Sequence, residues 1–250
     1  MKPIIIANWK MNLTIAESAK KAKFLVKEFK KLEEQEVVIC PSFSALYLVK
    51  EEIKKSPLKL GAQDIFWEDL GAYTGEESPK VLRELGCDYA IVGHSERRQN
   101  LIESDEMIHR KIKSALGNSL TPVLCVGETF EERQEGQTGN VIFYQLVRAL
   151  TGIDLIPSEQ LVIAYEPVWV IGSGRAIEPA EAEEAFKLIY HTILDFWPAS
   201  IIKNNVRIIY GGSVDSGNVK SFIGLEHFAG LLVGGSSLKE EELVKIIRSF

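Results

Sequence analysis

The sequence predicts an α/β fold, a closed (β/α)8 barrel forming a single domain over residues 1–250. Two observations carry this expectation. Eight short apolar runs alternate with amphipathic helical stretches, and strands apolar on both faces imply a parallel sheet covered by helices. No Pro/Ser/Gly-rich linker interrupts the series, and eight strand–helix units in about 250 residues match a closed barrel. A doubly wound open sheet is the alternative. It usually carries a GxGxxG after its first strand, which is absent here.

The first unit runs from Pro3-Ile4-Ile5-Ile6-Ala7 through the polar turn Asn8-Trp9-Lys10-Met11-Asn12. Thr14-Ile15-Ala16-Glu17 then reads as a capping box, and Ile15, Ala19, Ala22, Val26 and Phe29 recur at helical spacing. Val37-Val38-Ile39-Cys40 is the second strand, stopped by Pro41-Ser42 before a helix around Leu46, Val49 and Ile53. The third, Leu58 to Gln63, leads into a loop over residues 64–78, long enough to suggest a function of its own. Ser78-Pro79 opens a short helix and Gly86 closes it. Tyr89 to Gly93 is the fourth strand, and His94 immediately precedes a helix start at Ser95-Glu96-Arg97-Arg98. A helix over Ser104 to Leu116 follows, then the fifth strand, Pro122 to Val126, ending in Gly127-Glu128. A helix from about Asn140 to Leu150 precedes the sixth strand, Leu161 to Tyr165. Glu178-Pro179 opens the next helix. Val206 to Tyr210 and Ala229 to Val233 are the last two strands, and Ser237 to Glu240 reads as a second capping box.

Composition narrows the function classes. The chain is 46% hydrophobic and 26% charged, an ordinary globular balance. A formal net charge of −6 argues against nucleic acid or an anionic membrane as partner. Cys40, Cys87 and Cys125 are odd in number and far apart, which fits reduced thiols and a cytoplasmic protein. No N-terminal signal segment and no apolar run near the ~18 residues of a membrane span occurs. Metal-ligand spacing is absent as well.

Chemistry collects at one end of the strands. Their C-terminal ends supply Asn8, Lys10, Gln63, His94, Glu128, Glu166, Ser213, Gly234 and Gly235, and a barrel gathers these ends on one face. The N-terminal ends are expected to supply nothing comparable. Taken singly, Lys10 reads as a surface lysine, His94 as structural, and Glu166 as a solvated strand end. Together they describe a cation, an electrophile and a base. A ring at a helix start is disfavoured as a second positive charge, so His94 is expected to stay neutral and donate a hydrogen bond. Gly211-Gly212-Ser213 and Gly234-Gly235 each end a strand before a helix, where bare N–H groups can hold an anion. Pro167 to Ile177, with Gly172-Ser173-Gly174 inside it, is placed to fold over Glu166.

These residues resemble the triosephosphate isomerase family. The motifs that carry the resemblance are Asn8-Trp9-Lys10-Met11-Asn12, Gly71 to Glu76, Gly93-His94-Ser95-Glu96-Arg97-Arg98, Cys125 to Thr129, Ala164 to Trp169, Tyr210 to Val214, and Leu232 to Gly235. They lie in family order from end to end of the chain. The resemblance implies a TIM barrel that interconverts dihydroxyacetone phosphate and D-glyceraldehyde 3-phosphate without a cofactor. Barrel chemistry, a neutral histidine and lid closure are known features of this family and come with the resemblance. It further implies Asn8, Lys10, His94 and Glu166 as the catalytic set, with Glu96 behind Lys10. The phosphate would meet Gly172, Ser213, Gly234 and Gly235. Residues 167–177 would be the active-site lid and 64–78 the dimer loop of a homodimer. Thr74 would reach the partner's active site, and Glu76 would pair with Arg97 across the interface.

The sequence departs from the family pattern at several places. Ser173 replaces a usual Thr, Ile177 stands at a usually small hinge position, and Glu178 replaces a usual Thr before Pro179. Ala229 replaces an Asp, Asp64 an Asn, and Ala7 a Gly. These bear on lid motion and stability rather than identity. Two competing readings remain at this stage. One is a catalytically impaired phosphate-binding barrel with a scaffolding role, which would not need Lys10, His94 and Glu166 intact. The other is a Schiff-base barrel enzyme, which needs a lysine in a late strand; the sixth to eighth strands have none.

Overall fold

Alternation within each strand decides where the two layers of the core lie. In the first strand, β1 (Ile4–Asn8), Ile4 and Ile6 pack inward while Ile5 and Ala7 pack outward against helices. The same alternation in every strand produces an inner cluster, including Val38, Ile91, Val123, Val162, Ile209 and Leu232, and a larger outer one between strands and helices. The computed structural model describes residues 1–172 and 176–250.

The chain continues as α1 (Ile15–Glu28), β2 (Glu36–Cys40), α2 (Leu46–Ile53), β3 (Lys59–Ala62), α3 (Pro79–Leu85), β4 (Tyr89–Val92), α4 (Ser95–Asn100) and α5 (Asp105–Gly117). Then come β5 (Thr121–Val126), α6 (Phe130–Gln134), α7 (Thr138–Leu150), β6 (Leu161–Tyr165), α8 (Pro179–Ile193), α9 (Ala199–Asn205), β7 (Val206–Tyr210), β8 (Phe228–Val233) and α10 (Glu240–Ile247). All eight strands pair in parallel in chain order, and β8 returns to β1, with Ile4 opposite Gly230. The barrel is therefore closed, with its C-terminal strand ends on one rim.

Local chemistry explains most boundaries. Thr14 and Glu17 form the expected capping box on α1, Ser78 caps α3 through the N–H of Val81, and Gly86 ends α3 in the left-handed conformation at φ 97°. Two departures have physical causes. The capping box expected at Ser237 to Glu240 does not form. Ser237 is buried in a 3-10 turn, Gly235–Leu238, where its hydroxyl reaches back to the Asn8 carbonyl at 3.4 Å, and α10 starts behind Lys239 with no side-chain cap. The short helices α6 and α9 carry too few residues for apolar periodicity to announce them.

The expectation of chemically plain N-terminal strand ends also fails. Glu36 and Tyr89 begin β2 and β4, and Arg207 is the second residue of β7. Glu36 accepts from Tyr89 Oη at 2.6 Å and from Arg207 Nη1 at 2.9 Å, while Arg207 Nη2 donates to Tyr89 Oη at 3.0 Å. This network plugs the barrel floor.

Candidate active site

At the opposite rim lies a cavity of about 470 Å³. Asn8, Lys10, His94, Glu166, Gly172, Ser213, Gly234 and Gly235 all line it, contributed by the ends of five strands and their loops. Residues not singled out as site residues line it as well, among them the polar Asp215, Asn218, Ser236 and Lys239. They sit in loops, where no periodicity marks them.

Glu166 is 2% exposed at the end of β6. Its backbone N–H bonds the Val126 carbonyl at 2.7 Å, which fixes the residue between β5 and β6. That approach needs Gly127: a Cβ there would stand 1.8 Å from the Glu166 carbonyl oxygen. Glu166 Oε2 accepts from the Ser95 backbone N–H at 2.9 Å. Oε1 lies 3.1 Å from His94 Nε2, yet the N–H is not aligned on it, so among the described residues this oxygen has no hydrogen-bond partner. A carboxylate oxygen left unbonded in a buried cavity is a competent proton acceptor. Beneath it, burial and then the Glu166 charge push the Cys125 thiol well above its ordinary range, so Cys125 is a neutral neighbour.

His94 caps α4. Its Nδ1 accepts the backbone N–H of Glu96 at 3.2 Å, which requires Nδ1 to carry no proton. The proton of the neutral ring is thereby assigned to Nε2, the atom facing the cavity and Glu166.

Lys10 holds a left-handed backbone, φ 52°, unusual for a residue with a side chain. Two neighbours hold it there. Asn8 Oδ1 accepts the Lys10 N–H at 3.0 Å, and Gln63 Nε2 donates to the Lys10 carbonyl at 2.8 Å and to Cys40 O at 2.9 Å. Glu96 Oε1 receives Lys10 Nζ at 2.5 Å. A conformation of this kind costs about 1–3 kcal/mol and is characteristic of functional sites. Gln63 thus acquires a definite task, fixing the lysine, which its place at a strand end did not reveal.

The segment expected to be a lid is anchored at both ends. Glu128, fully buried, accepts from Trp169 Nε1 at 3.0 Å and from Tyr165 Oη at 3.2 Å, and its carbonyl receives Val168 N at 3.0 Å. Burial raises the Glu128 carboxyl, opposed by these bonds. Arg133 of α6 stacks over Trp169 at 4.4 Å and pairs with Glu181. At the far end Ile177 packs into the outer core, and its N–H faces Tyr210 Oη at 3.5 Å. Ser213 Oγ donates to the Val170 carbonyl at 2.7 Å. Ser173 lies outside the described residues. Glu178, standing at the N-cap of α8, makes no side-chain cap.

The base of loop 64–78 holds a buried ionic cluster. Lys111, 1% exposed, lies between Asp64 at 2.7 Å and Glu103 at 2.5 Å. Arg97 closes the group through Asp64 at 2.8 Å and Glu103 at 2.8 Å. Thr74 and Glu76 are exposed at the loop's far end. No group of three or more His, Cys, Asp or Glu suited to a metal occurs among the described residues.

A family model described as triosephosphate isomerase matches residues 3–250. The chain is 46% identical over 252 residues to the triosephosphate isomerase of Dictyoglomus turgidum, covering 99% of both chains. It is 45% identical over 248 residues to that of Dictyoglomus thermophilum, again covering 99% of each. It is 44% identical over 250 residues to that of Aquifex aeolicus, covering 100% of each. Full-length identity at this level, together with the closed eight-stranded barrel, places the chain in the triosephosphate isomerase family.

Proposed function

We infer that the chain interconverts dihydroxyacetone phosphate and D-glyceraldehyde 3-phosphate, an aldose–ketose isomerisation of glycolysis and gluconeogenesis. The observation that carries the mechanism is the unbonded Oε1 of Glu166, facing a cavity that also presents His94 Nε2 and Lys10.

Glu166 takes the proton from the carbon beside the substrate carbonyl. The negative charge that develops on oxygen is met by the His94 Nε2–H and the Lys10 ammonium, which Asn8 and Gln63 hold in place. The protonated Glu166 returns the proton to the neighbouring carbon. Backbone N–H groups of Gly172, Ser213, Gly234 and Gly235 receive the phosphate, and closure of residues 167–177 excludes water from the enediolate. The chemistry asks for no cofactor.

A homodimer built through loop 64–78 completes the reading. Its support is an apolar surface around that loop, with Met11, Leu70, Tyr73, Leu101 and Ile102 exposed, and an Arg97 whose Nη1 bonds nothing among the described residues and is open to a partner's Glu76. A cytoplasmic location is inferred from three free, buried thiols. No helix among the described residues is long and apolar enough to cross a membrane.

The test is a coupled assay on the purified chain and on Glu166→Gln. The unmodified chain is expected to turn over D-glyceraldehyde 3-phosphate. Undiminished turnover in the variant sinks the mechanism.

A further inference from the structure

The loops after β7 and β8 both contribute to the phosphate end of the cavity, and side chains tie them to each other. Ser236 Oγ donates to the Val214 carbonyl at 2.5 Å, from the 3-10 turn after β8 to the loop after β7. The Ser216 backbone N–H donates to Glu242 Oε1 at 2.5 Å, joining the same β7 loop to the first turn of α10. Glu242 is charged, sits at a helix N-terminus and accepts a short bond, three circumstances that strengthen this tie. The β7 loop is also braced internally: Asp215 Oδ1 accepts from Gly217 N at 2.8 Å and Asn218 N at 3.0 Å, and Asn218 Oδ1 accepts from Asp215 N at 3.0 Å. It can therefore move as a unit, and the two cross-ties set where that unit stands.

We propose that Ser236 and Glu242 are positioning residues for the substrate phosphate, clamping the two loops so that their N–H groups converge on one anion. The proposal rests on the reading that Ser213, Gly234 and Gly235 hold the phosphate. The physical argument is one of preorganisation. Donors from two loops bind a dianion well only when both sets point at it together, and a displacement of one set by about 1 Å is enough to lose much of the gain. Neither residue touches the reacting carbons, so the clamp acts on substrate affinity more than on the chemical step. Glu242 stands behind the loop, bonded to Ser216, and does not line the cavity, so its charge does not face the phosphate.

The experiment titrates inorganic phosphate into the full-length chain and follows backbone amide resonances, alongside KM and kcat for D-glyceraldehyde 3-phosphate. In the unmodified chain the amides of Ser213, Gly234 and Gly235 are expected to shift. Ser236→Ala and Glu242→Leu are each expected to weaken phosphate binding and raise KM about three- to tenfold, the worth of one or two hydrogen bonds, with a smaller effect on kcat. Glu242→Gln keeps an acceptor for the Ser216 N–H and is expected to recover most of the affinity. The amide spectra also report that each variant is folded. Unchanged phosphate affinity and KM in both folded variants, with the three amides responding normally, overturns the clamp alone. Amides that do not respond in the unmodified chain overturn the phosphate reading, and the clamp with it.

Discussion

The mouth of the barrel and its floor are built from the same chemical groups, a carboxylate, a cation and a ring, and treat the carboxylate in opposite ways. On the floor both oxygens of Glu36 are bonded, one to Tyr89 and one to Arg207. At the mouth Glu166 has one oxygen bonded to a backbone N–H and the other, among the described residues, without a hydrogen bond. The cations differ as well. Arg207 is buried and bonds both Tyr89 and the half-buried Glu36, whereas Lys10 sits on a strained backbone that two neighbours must hold. Bonded carboxylate oxygens contribute stability; the unbonded oxygen of Glu166 costs stability and remains available to a proton, whereas the floor atom that lacks a partner among the described residues, Arg207 Nε, already carries a hydrogen and accepts none. The difference assigns folding work to one end of the barrel and chemistry to the other.

The largest expected effect breaks the mouth. Glu166→Gln preserves shape and removes the base, so kcat is expected to fall about 10³-fold while phosphate binding survives, read by the coupled assay and by titration. Gly127→Ala comes next. Its Cβ would collide with the Glu166 carbonyl, so the β5 or β6 end must shift and carry the carboxylate with it. A displacement near 1 Å is expected to lower kcat/KM about 10²-fold. Activity within twofold of the unmodified chain would show that Glu166 does not depend on this close approach.

The contrast also explains what was legible in the sequence. Barrel strands announce themselves because burial on both faces makes them apolar throughout, and the strand-end residues follow from them. Asn8, Lys10, His94 and Glu166 duly line one cavity. Gln63 was visible only as a polar residue at a strand end, because its bonds to Lys10 and Cys40 link residues 53 and 23 positions apart. The floor network spans up to 171 positions between Glu36 and Arg207, and each member alone looks like an ordinary polar residue flanking a strand. Helix starts were legible where Ser or Thr met an extended backbone, as at Thr14 and Ser78. Ser237 had the right pattern and failed, because burial against β1 gave its hydroxyl another partner.

Breaking the floor tests the other half of the comparison. Arg207→Leu leaves Glu36 and Tyr89 without their cation; with Arg207 buried and Glu36 26% exposed, the loss is expected at the low end of the range for buried pairs, about 3 kcal/mol. For a chain of this length that corresponds to a melting temperature lower by roughly 6–12 °C. Specific activity of the folded fraction is expected to hold, because Arg207 lies at the opposite end of the barrel from the cavity. Urea unfolding at fixed protein concentration, paired with the coupled assay, checks both statements. A loss of activity without a loss of stability would reverse the assignment of the two ends.

The smallest expected effect sharpens the comparison through pH. Burial alone would raise Glu36, but hydrogen bonds from Tyr89 and Arg207 outweigh it and hold the carboxyl below its ordinary range. Its contribution is therefore present above the unfolded value and is lost as pH falls through the folded one. Asp64 has the opposite sign. Burial pushes it up to about 6 from 3.8, against the pull of Lys111 and Arg97 and with the push of Glu103. Between those values the folded chain binds more protons than the unfolded one at this position. Asp64 consequently lowers stability as pH rises from about 4 to about 6, with the full cost reached above that window. Asp64→Asn removes the titration. Its amide NH2 would face Arg97, so absolute stability is not the readout; the slope is. In unfolding measurements across pH 4 to 7 the variant is expected to show a more positive slope of stability against pH than the unmodified chain, because the loss of stability that Asp64 imposes as pH rises is gone. Identical slopes would mean that Lys111 and Arg97 balance burial and leave Asp64 without a slope of its own; a shallower rise in the variant would mean that they outweigh burial, and that the cluster at the base of loop 64–78 behaves like the floor network.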